Sequence, residues 1–233
     1  MNNNNSLAIV IPVYNEAATI VTLITHISQL PILATIDYKF IIINDGSTDN
    51  TAQLLSKLAA HNQRLQLVSQ LNQGHGTSIL VGYNLAVNYG WVFQLDGDYQ
   101  YELNTFDTLW HNKDNYDLLI AIRNQKSASL ARNIITAVLN ITTQLLYGKG
   151  LTDINSPFRL MRNTHLQLCI SKINKTNFAP NTLISAYYLK KKCVIYSTQA
   201  TMRQVGIKKS KASWYIVKGS VKSFANLIMY KWR

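Results

Sequence analysis

The C-terminal third of the sequence lacks acidic residues altogether. After Asp153, residues 154–233 carry 15 Lys and Arg side chains and no Asp or Glu. Residues 1–153 carry all 11 acids and only 8 Lys and Arg. This asymmetry predicts that the C-terminal part meets a partner of negative charge, namely nucleic acid, anionic lipid or phosphate.

Cysteines and long apolar runs are also scarce. Cys169 and Cys193 are too few for a disulfide framework, which favours reduced thiols and a cytoplasmic location. No run of about 18 or more apolar residues exists, so we expect no transmembrane helix. Residues 1–6 are rich in asparagine, have no basic segment and precede an apolar stretch interrupted by Pro12. We therefore expect a disordered tail here, and no signal peptide.

The sequence does contain short apolar runs that alternate with segments of helical length. A chain of 233 residues fits one large domain or two small ones. This alternation predicts βαβ units and a mostly parallel sheet flanked by helices, an α/β fold. The predicted strands cover residues 7–13, 38–43, 65–69 and 91–95. Of the predicted helices between them, the first covers residues 17–30, the second is capped by Ser47 or Asp49 and runs to about His61, and the third runs from the turn at residues 73–77 to Tyr89.

Two carboxylates and an amide follow the fourth predicted strand. They belong to Asp96, Asp98 and Gln100. Ligands of open α/β sheets bind outside the carboxyl ends of the strands, and an all-oxygen set suits Mg²⁺ or Mn²⁺. These residues therefore predict a cation that clamps a diphosphate. The alternative is a strand-end turn with solvated acids.

Polar residues follow the first two strands as well. Tyr14 and Glu16 come after the first strand, and Asp45 comes after the second. A nucleotide across this edge would let Asp45 accept a hydrogen bond from a base, with Tyr14 covering the base or ribose. Glu16 is also consistent with an acid placed at a helix N-terminus.

The glycine-bracketed turn at residues 73–77 differs from the common phosphate-binding loops. It lacks the Gly-Lys-Ser/Thr of a P-loop, and no Gly-x-Gly-x-x-Gly follows the first strand. This argues against a dinucleotide-dependent dehydrogenase. We interpret His75, inside this turn, as a loop residue.

Four motifs in order resemble the family 2 glycosyltransferases of the GT-A fold. They are residues 9–16 (IVIPVYNE), 43–49 (INDGSTD), 72–76 (NQGHG) and 96–100 (DGDYQ). Two later segments resemble the dolichol-phosphate mannosyltransferase, or polyprenyl-phosphate glycosyltransferase, branch of that family. These are residues 153–159 (DINSPFR) and 203–209 (RQVGIKK), so that the resemblance covers residues 7–211.

The resemblance implies an inverting, metal-dependent transfer of a sugar from a GDP- or UDP-linked donor to a polyprenyl or dolichyl phosphate. The metal would be Mg²⁺ or Mn²⁺, held by Asp96, Asp98 and Gln100. The nucleotide-sugar site would comprise Pro12, Tyr14, Glu16, Asn44, Asp45, Gly76, Asp96 and Gly97. The catalytic residues would be Asp98, Arg123, Arg203 and Lys209. The chain departs from the family pattern at Asn44 (usually Asp), Tyr99 (Leu), Pro157 (Gly) and Lys208 (Ser).

The nature of the acceptor follows from the missing acids. A hydroxyl acceptor needs a carboxylate base, whereas a phosphate is already ionised and needs cations instead. Asn181 stands where relatives often place Glu. Asp153 is the remaining acid that could serve as a base, and its alternative role is to orient Arg159 as a structural pair. A lipid phosphate is therefore favoured, and a saccharide hydroxyl in surface polysaccharide synthesis is the alternative. The expected phosphate-binding residues are Arg123, Arg132, Arg203 and Lys209.

Two amphipathic stretches indicate where a lipid would be met. One has apolar residues at Leu130, Ile134, Val138, Ile141 and Leu145, and the other has them at Trp214, Val217, Val221, Phe224 and Ile228. Lysines and aromatics beside the second stripe predict a helix lying on an anionic membrane, with core packing as the alternative for both stripes.

Together with the tail at residues 1–6, these patterns divide the chain into three parts. Residues 7–211 form the glycosyltransferase domain, with a nucleotide-sugar half (7–100) and an acceptor half (101–211), and residues 212–233 form the membrane-interface helix. We expect a peripheral protein on the inner face of a membrane, with a membrane protein as a conceivable partner. Nucleic acid is not expected as a partner, since strand-end acids are of no use in binding it.

Overall fold

The structure is a computed structural model that describes residues 5–123, 130–177, 179–203 and 224–230. For residues 130–133 it describes the backbone alone. The predictions for Lys209, for the Arg132 side chain, for residues 1–4 and for most of residues 212–233 therefore lie outside the described part.

A seven-stranded, mostly parallel sheet forms the centre of the fold. The strands are β1 (Ser6–Val13), β2 (Asp37–Asp45), β3 (Leu65–Gln70), β4 (Trp91–Gln94), β5 (Leu118–Arg123), β6 (Arg159–Arg162) and β7 (Ile195–Ala200). Their order is β3-β2-β1-β4-β6-β5-β7, and β6 alone in this sheet runs antiparallel to its neighbours. This confirms the predicted α/β fold and its first four strands; β5, β6 and β7 were not predicted.

Helices cover both faces of this sheet. They are α1 (Ile20–Ser28), α2 (Thr51–His61), α3 (His75–Leu85), α4 (Asn104–Asn112), α5 (Leu130–Tyr147), α6 (Asn163–Ile170) and α7 (Pro180–Lys190). A further helix, α8, covers residues 224–230. Short 3₁₀ turns at Pro31–Thr35 and Lys113–Asn115 complete the described secondary structure.

The central strand β1 is buried on both faces, as its unbroken apolar sequence requires. Because side chains of a strand alternate between faces, Leu7, Ile9 and Ile11 pack in the core under α1, α2 and α4. Ala8 and Val10 pack in the second core, under α3, α6 and α7. A one-residue slip of β1 would move each side chain into the opposite core, where it would not fit the neighbouring side chains, so close packing on both faces fixes the strand ends.

Several element boundaries differ by a few residues from the sequence-based expectation, and two of them have a clear physical cause. β1 begins at Ser6, which is buried and whose hydroxyl accepts a hydrogen bond from the Gly90 N–H at 3.0 Å. α1 begins at Ile20 instead of Ala17, because the backbone N–H groups just before it bind side chains of the loop after β2.

Close packing of α3 on β1 gives a testable prediction. A Cβ atom added at Gly82 would overlap Val10 Cγ1. Gly82→Ala should therefore reduce the free energy of unfolding by about 1–3 kcal/mol, although alanine gains about 1 kcal/mol in helix propensity. Urea denaturation measures the change.

The matched test of this contact is a double mutant. Val10→Ala removes the clashing methyl groups, so Val10→Ala/Gly82→Ala should lose less stability than the two single changes together. Additive losses would contradict the proposed contact.

Candidate functional site

The loops that follow β1 and β2 are held together by hydrogen bonds from backbone N–H groups. The Asn15 N–H donates to Ser47 Oγ at 3.0 Å, and the Glu16 N–H donates to Thr51 Oγ1 at 2.9 Å. In return, Asn15 Oδ1 accepts the Thr48 N–H at 2.7 Å. These hydrogen bonds therefore join the first two sequence motifs at the carboxyl edge of the sheet.

Asp45, at the end of β2, anchors the third motif. Its Oδ1 accepts hydrogen bonds from Gln73 N–H at 2.9 Å and Gln70 Nε2 at 2.8 Å. Its Oδ2 accepts the Gly74 N–H at 2.9 Å, and the side chain is almost fully buried. The carboxylate thus positions the turn before α3. Oδ1 already accepts two hydrogen bonds, so only Oδ2 keeps a second lone pair that could face a ligand.

A cavity of about 240 Å³ lies between these loops. Its lining brings together Pro12, Tyr14 and Asp45, three of the residues predicted to bind a nucleotide. The exposed ring of Tyr14 forms part of its rim. The remaining lining residues are Val13, Asn72, Gly74, His75 and Ser78.

Two predicted residues lie close to this cavity without lining it. Asn44 is buried, with Oδ1 accepting the Ser47 N–H at 3.2 Å and Nδ2 donating to Ser69 Oγ at 3.3 Å. Both ends of its amide therefore serve the neighbouring turns. Gly76 is buried in the first turn of α3.

The turn after β4 places Asp96 at the same edge. Its Oδ1 atom is buried, and no donor among the described residues makes a hydrogen bond to it. His75 Nε2 lies 3.5 Å from this oxygen. A buried carboxylate oxygen without a donor fits a cation, and the oxygen ligands available from Asp96, Asp98 and Gln100 fit Mg²⁺ or Mn²⁺.

The backbone of this turn packs against the end of β1. A Cβ at Gly97 would come 3.3 Å from Val13 Cγ2, so only a small residue suits this position. The Thr19 hydroxyl donates to the Gly97 carbonyl at 2.9 Å and also lies 3.2 Å from Glu16 Oε2. Glu16 is therefore beside the turn that carries the two aspartates.

Tyr99 links this turn to the C-terminal half of the chain. It has a positive φ of 53°, which is unusual for a bulky residue. Its hydroxyl lies 2.6 Å from His26 Nδ1, and the Arg203 guanidinium stacks 3.7 Å from its ring centroid. The Arg203 N–H also donates to the Gln100 carbonyl at 2.9 Å. Arg203 is thus held directly beside the predicted metal-binding turn.

Arg123 is bound to Asp153 by a bidentate ion pair. The Nε–Oδ2 and Nη2–Oδ1 distances are both 2.8 Å. Burial lowers the pKa of the guanidinium, but the hydrogen bonds and charge of Asp153 outweigh this effect and raise it. The expected pairing of Asp153 with Arg159 is wrong, because Asp153 is committed to Arg123.

Arg159 instead lies fully inside the protein. Its guanidinium donates to the Ser156 carbonyl at 2.8 Å and to the Ile154 carbonyl at 3.0 Å. Burial lowers its pKa. Asn181, where relatives often have Glu, is also buried and donates to Gln94 Oε1 at 2.9 Å. Both residues serve the core of the C-terminal half of the chain.

Helix α5 exposes an apolar stripe to solvent. Ile134, Val138, Ile141 and Leu145 are all about half exposed or more. Thr143, on the other side of the helix, is fully buried. Core packing is therefore excluded for the four described residues of this stripe. In α8, Leu227 is buried while Ile228 and Met229 are exposed.

Among the helices that the structure describes, none has the length and apolar character needed to cross a bilayer.

The fold and the carboxyl-edge site define the GT-A class of α/β proteins. The sequence model described as glycosyl transferase family 2 matches residues 8–172, and the chain belongs to this family.

Curated relatives give further comparisons. An undecaprenyl-phosphate 4-deoxy-4-formamido-L-arabinose transferase of Yersinia enterocolitica is 29% identical over 177 residues, covering 75% of this chain and 54% of that protein. The transferase of the same description from Yersinia pestis (strain Pestoides F) is 28% identical over the same shares. The chain thus spans about half the length of these relatives.

Solved structures share the fold at low sequence identity. Glucosyl-3-phosphoglycerate synthase from Mycobacterium tuberculosis, in complex with UDP, has a TM-score of 0.68 at 17% identity, with 97% of this chain and 80% of that chain covered. S. aureus TarS 1–349 in complex with UDP-GlcNAc has a TM-score of 0.59 at 16% identity, with 95% and 67% covered.

Sequence reasoning missed part of the site. His75 was interpreted as a loop residue, yet it lines the cavity and approaches Asp96. Asn72 and Ser78 also line the cavity. One sequence feature could have indicated these three residues: they surround the glycine-bracketed turn after β3, which lies at the same sheet edge as the predicted site.

Asp45 provides a prediction that is independent of any ligand. In Asp45→Asn, an NH₂ group replaces one accepting oxygen, so at least one of its three donors loses its partner. The free energy of unfolding should fall by about 1–3 kcal/mol, measured by urea denaturation.

Asp107→Asn is the matched control. Burial raises the pKa of Asp107, so its charged form is disfavoured in the folded protein. Removal of this charge should leave stability unchanged or slightly higher. Equal effects of the two substitutions would show that the anchoring hydrogen bonds of Asp45 contribute nothing.

Proposed function

We propose that this chain transfers a sugar, with inversion, from a nucleoside diphosphate sugar to a polyprenyl phosphate at a membrane surface. The stacking of Arg203 on Tyr99, next to Asp98, is the observation that carries the proposal. It puts a cation suited to an acceptor phosphate beside the residues suited to a donor diphosphate.

The donor half of the proposal rests on the cavity and on Asp96. Pro12, Tyr14 and Asp45 line a cavity that would hold the nucleoside. Asp96, Asp98 and Gln100 would hold Mg²⁺ or Mn²⁺, which supplies positive charge to the leaving diphosphate. The M. tuberculosis synthase has been solved with Mn²⁺ and UDP-glucose, which supports UDP as the first donor nucleotide to test.

The acceptor half rests on the distribution of charge. Among the described residues, no carboxylate lies within ion-pair distance of Arg203, whereas Arg123 is neutralised by Asp153. Stacking on Tyr99 leaves the N–H donors at the edge of the Arg203 guanidinium, where they suit bidentate phosphate binding. The Yersinia relatives are described as undecaprenyl-phosphate transferases, which supports this class of acceptor.

The proposed reaction needs no general base from this chain. A phosphate oxygen of the acceptor forms the new bond to the anomeric carbon, and the bond to the donor diphosphate breaks with its electron pair. The acceptor oxygen is already ionised at neutral pH, so no proton has to be removed. Arg203 would orient the attacking phosphate, while Tyr14 and Asp45 would keep the nucleoside in place.

Sugar transfer to undecaprenyl phosphate in membrane extracts is the direct test. UDP- and GDP-linked sugars are supplied with Mn²⁺, and labelled glycosyl-lipid is measured. Asp98→Ala should lower the rate by about 100-fold or more. Asp37→Ala, an exposed acid at the opposite end of the sheet, should leave it unchanged. Equal rates in the two variants would refute the role of Asp98.

The acceptor class is tested by a second pair of variants. For a phosphate acceptor, Arg203→Ala should reduce transfer far more than Arg203→Lys, and Asp153→Asn should act mainly on stability by releasing Arg123. Loss of turnover in a folded Asp153→Asn protein, with Arg203→Ala active, would instead support a saccharide hydroxyl as acceptor.

We further propose that the exposed stripe of α5 lies on the membrane. Ile141→Asn/Leu145→Asn should weaken binding to anionic vesicles by about tenfold or more, since each buried aliphatic side chain contributes about 1.5–3 kcal/mol when fully buried. Leu168→Asn changes an exposed leucine of α6 and is the control. Sedimentation with vesicles measures binding, and equal affinities would exclude the α5 stripe.

A further inference from the structure

A second cluster of potential metal ligands lies at the opposite edge of the sheet from the site described above. Asp117 immediately precedes β5, Cys193 lies two residues before β7, and His165 is on α6. β5 and β7 are neighbouring parallel strands, so their amino ends meet at this edge. Three elements distant in sequence therefore contribute one side chain each.

The three side chains of this cluster lie within reach of one metal ion. His165 faces its two neighbours with opposite ring nitrogens: Nε2 lies 3.7 Å from Asp117 Oδ1, and Nδ1 lies 3.8 Å from Cys193 Sγ. One ligand atom of each residue can be chosen so that all lie within 4.8 Å of one another. Bonds of about 2.0–2.3 Å to a tetrahedral Zn²⁺ separate ligands by about 3.3–3.7 Å. The ligand atoms would therefore have to approach one another by about 1 Å or less to bind one Zn²⁺ ion.

Neighbouring groups hold the carboxylate of Asp117 in place. Its Oδ2 accepts the Val194 N–H at 3.0 Å, and its Oδ1 accepts Arg162 Nε at 3.1 Å. Each oxygen has a second lone pair that could bind a metal ion. Hydrogen bonds from neighbouring groups, like these two, typically orient carboxylates that bind metals. The Arg162 guanidinium is itself stacked on Trp91.

Charge and access also favour a cation. With a bound ion, the Cys193 thiol would lose its proton, and the thiolate and the Asp117 carboxylate would then supply two negative charges, which the nearby Arg162 guanidinium compensates in part. The side chains of His165 and Asp117 are 35% and 21% exposed, so an ion can enter from solvent.

We propose that Asp117, His165 and Cys193 form a Zn²⁺ site, with water as the fourth ligand. Thiolate and imidazole ligands favour Zn²⁺ over the hard cations that suit Asp96 and Asp98. The ion would tie the amino ends of β5 and β7 to α6, and the site does not depend on the proposed transferase function.

Titration of the chelator-treated protein with Co²⁺, a spectroscopic substitute for Zn²⁺, tests this inference. A thiolate ligand gives an intense near-ultraviolet charge-transfer band, which the all-oxygen site cannot produce. We expect this band to saturate at one Co²⁺ per chain, to be retained in Asp98→Ala and to be displaced by Zn²⁺. Zn²⁺ alone should raise the melting temperature by mass action.

Variants assign the ligands. Cys193→Ser should abolish the band, and His165→Gln should weaken Co²⁺ binding by about 100-fold or more, beyond the effect of losing an outer-shell partner. Cys169→Ala and His111→Gln are matched controls that should bind as the unaltered protein does. Absence of the band in the unaltered protein, or its persistence in folded Cys193→Ser, would overturn the proposal. If Cys193→Ser does not fold, His165→Gln and the stoichiometry of the unaltered protein decide.

Discussion

The hydrogen bonds between the loop after β1 and the loop after β2 are the interaction on which the candidate site depends. Consecutive N–H groups of Asn15, Glu16 and Ala17 bind side chains of Ser47, Thr51 and Asp49. Hydrogen bonding to Thr51 lowers the pKa of Asp49, which keeps this acceptor charged. These bonds are possible because both faces of β1 and of most of β2 are buried, so the strand ends cannot shift relative to each other.

Three arginines of the second half of the fold show how differently the structure uses the same charge. Arg123 forms a bidentate pair with Asp153, Arg159 is buried among backbone carbonyls, and Arg203 stacks on Tyr99 beside the aspartates. The number of basic residues therefore does not by itself tell how many cations lack a carboxylate partner. To bind the proposed anionic acceptor, a guanidinium must have no carboxylate partner and must lie near the residues proposed to bind the donor. Among the described residues, Arg203 meets both conditions.

The first half of the fold was predictable because its strands are apolar runs bounded by polar turns. The second half of the fold was harder to predict, and the physical reason differs from element to element. β6 has four residues with Arg at both ends. Arg159 can be buried because carbonyl groups outside β6, those of Ile154 and Asn181, accept hydrogen bonds from its guanidinium. α7 is buried on nearly all sides, so its sequence has no amphipathic period. In the site, Pro12, Tyr14 and Asp45 were predicted together, whereas His75 and the Arg123–Asp153 pair depend on distances that no local pattern encodes.

The amino-acid sequence by itself determined the α/β class, the family resemblance and the edge of the sheet at which polar residues gather. It did so because strand period, apolar runs and strand-end motifs are local properties of the chain. Only the tertiary structure decided which partner each charged side chain has, that Asp45 anchors a turn, and that the apolar stripe of α5 faces solvent. Those outcomes depend on contacts between segments far apart in sequence, where burial and distance set the energy of each charge.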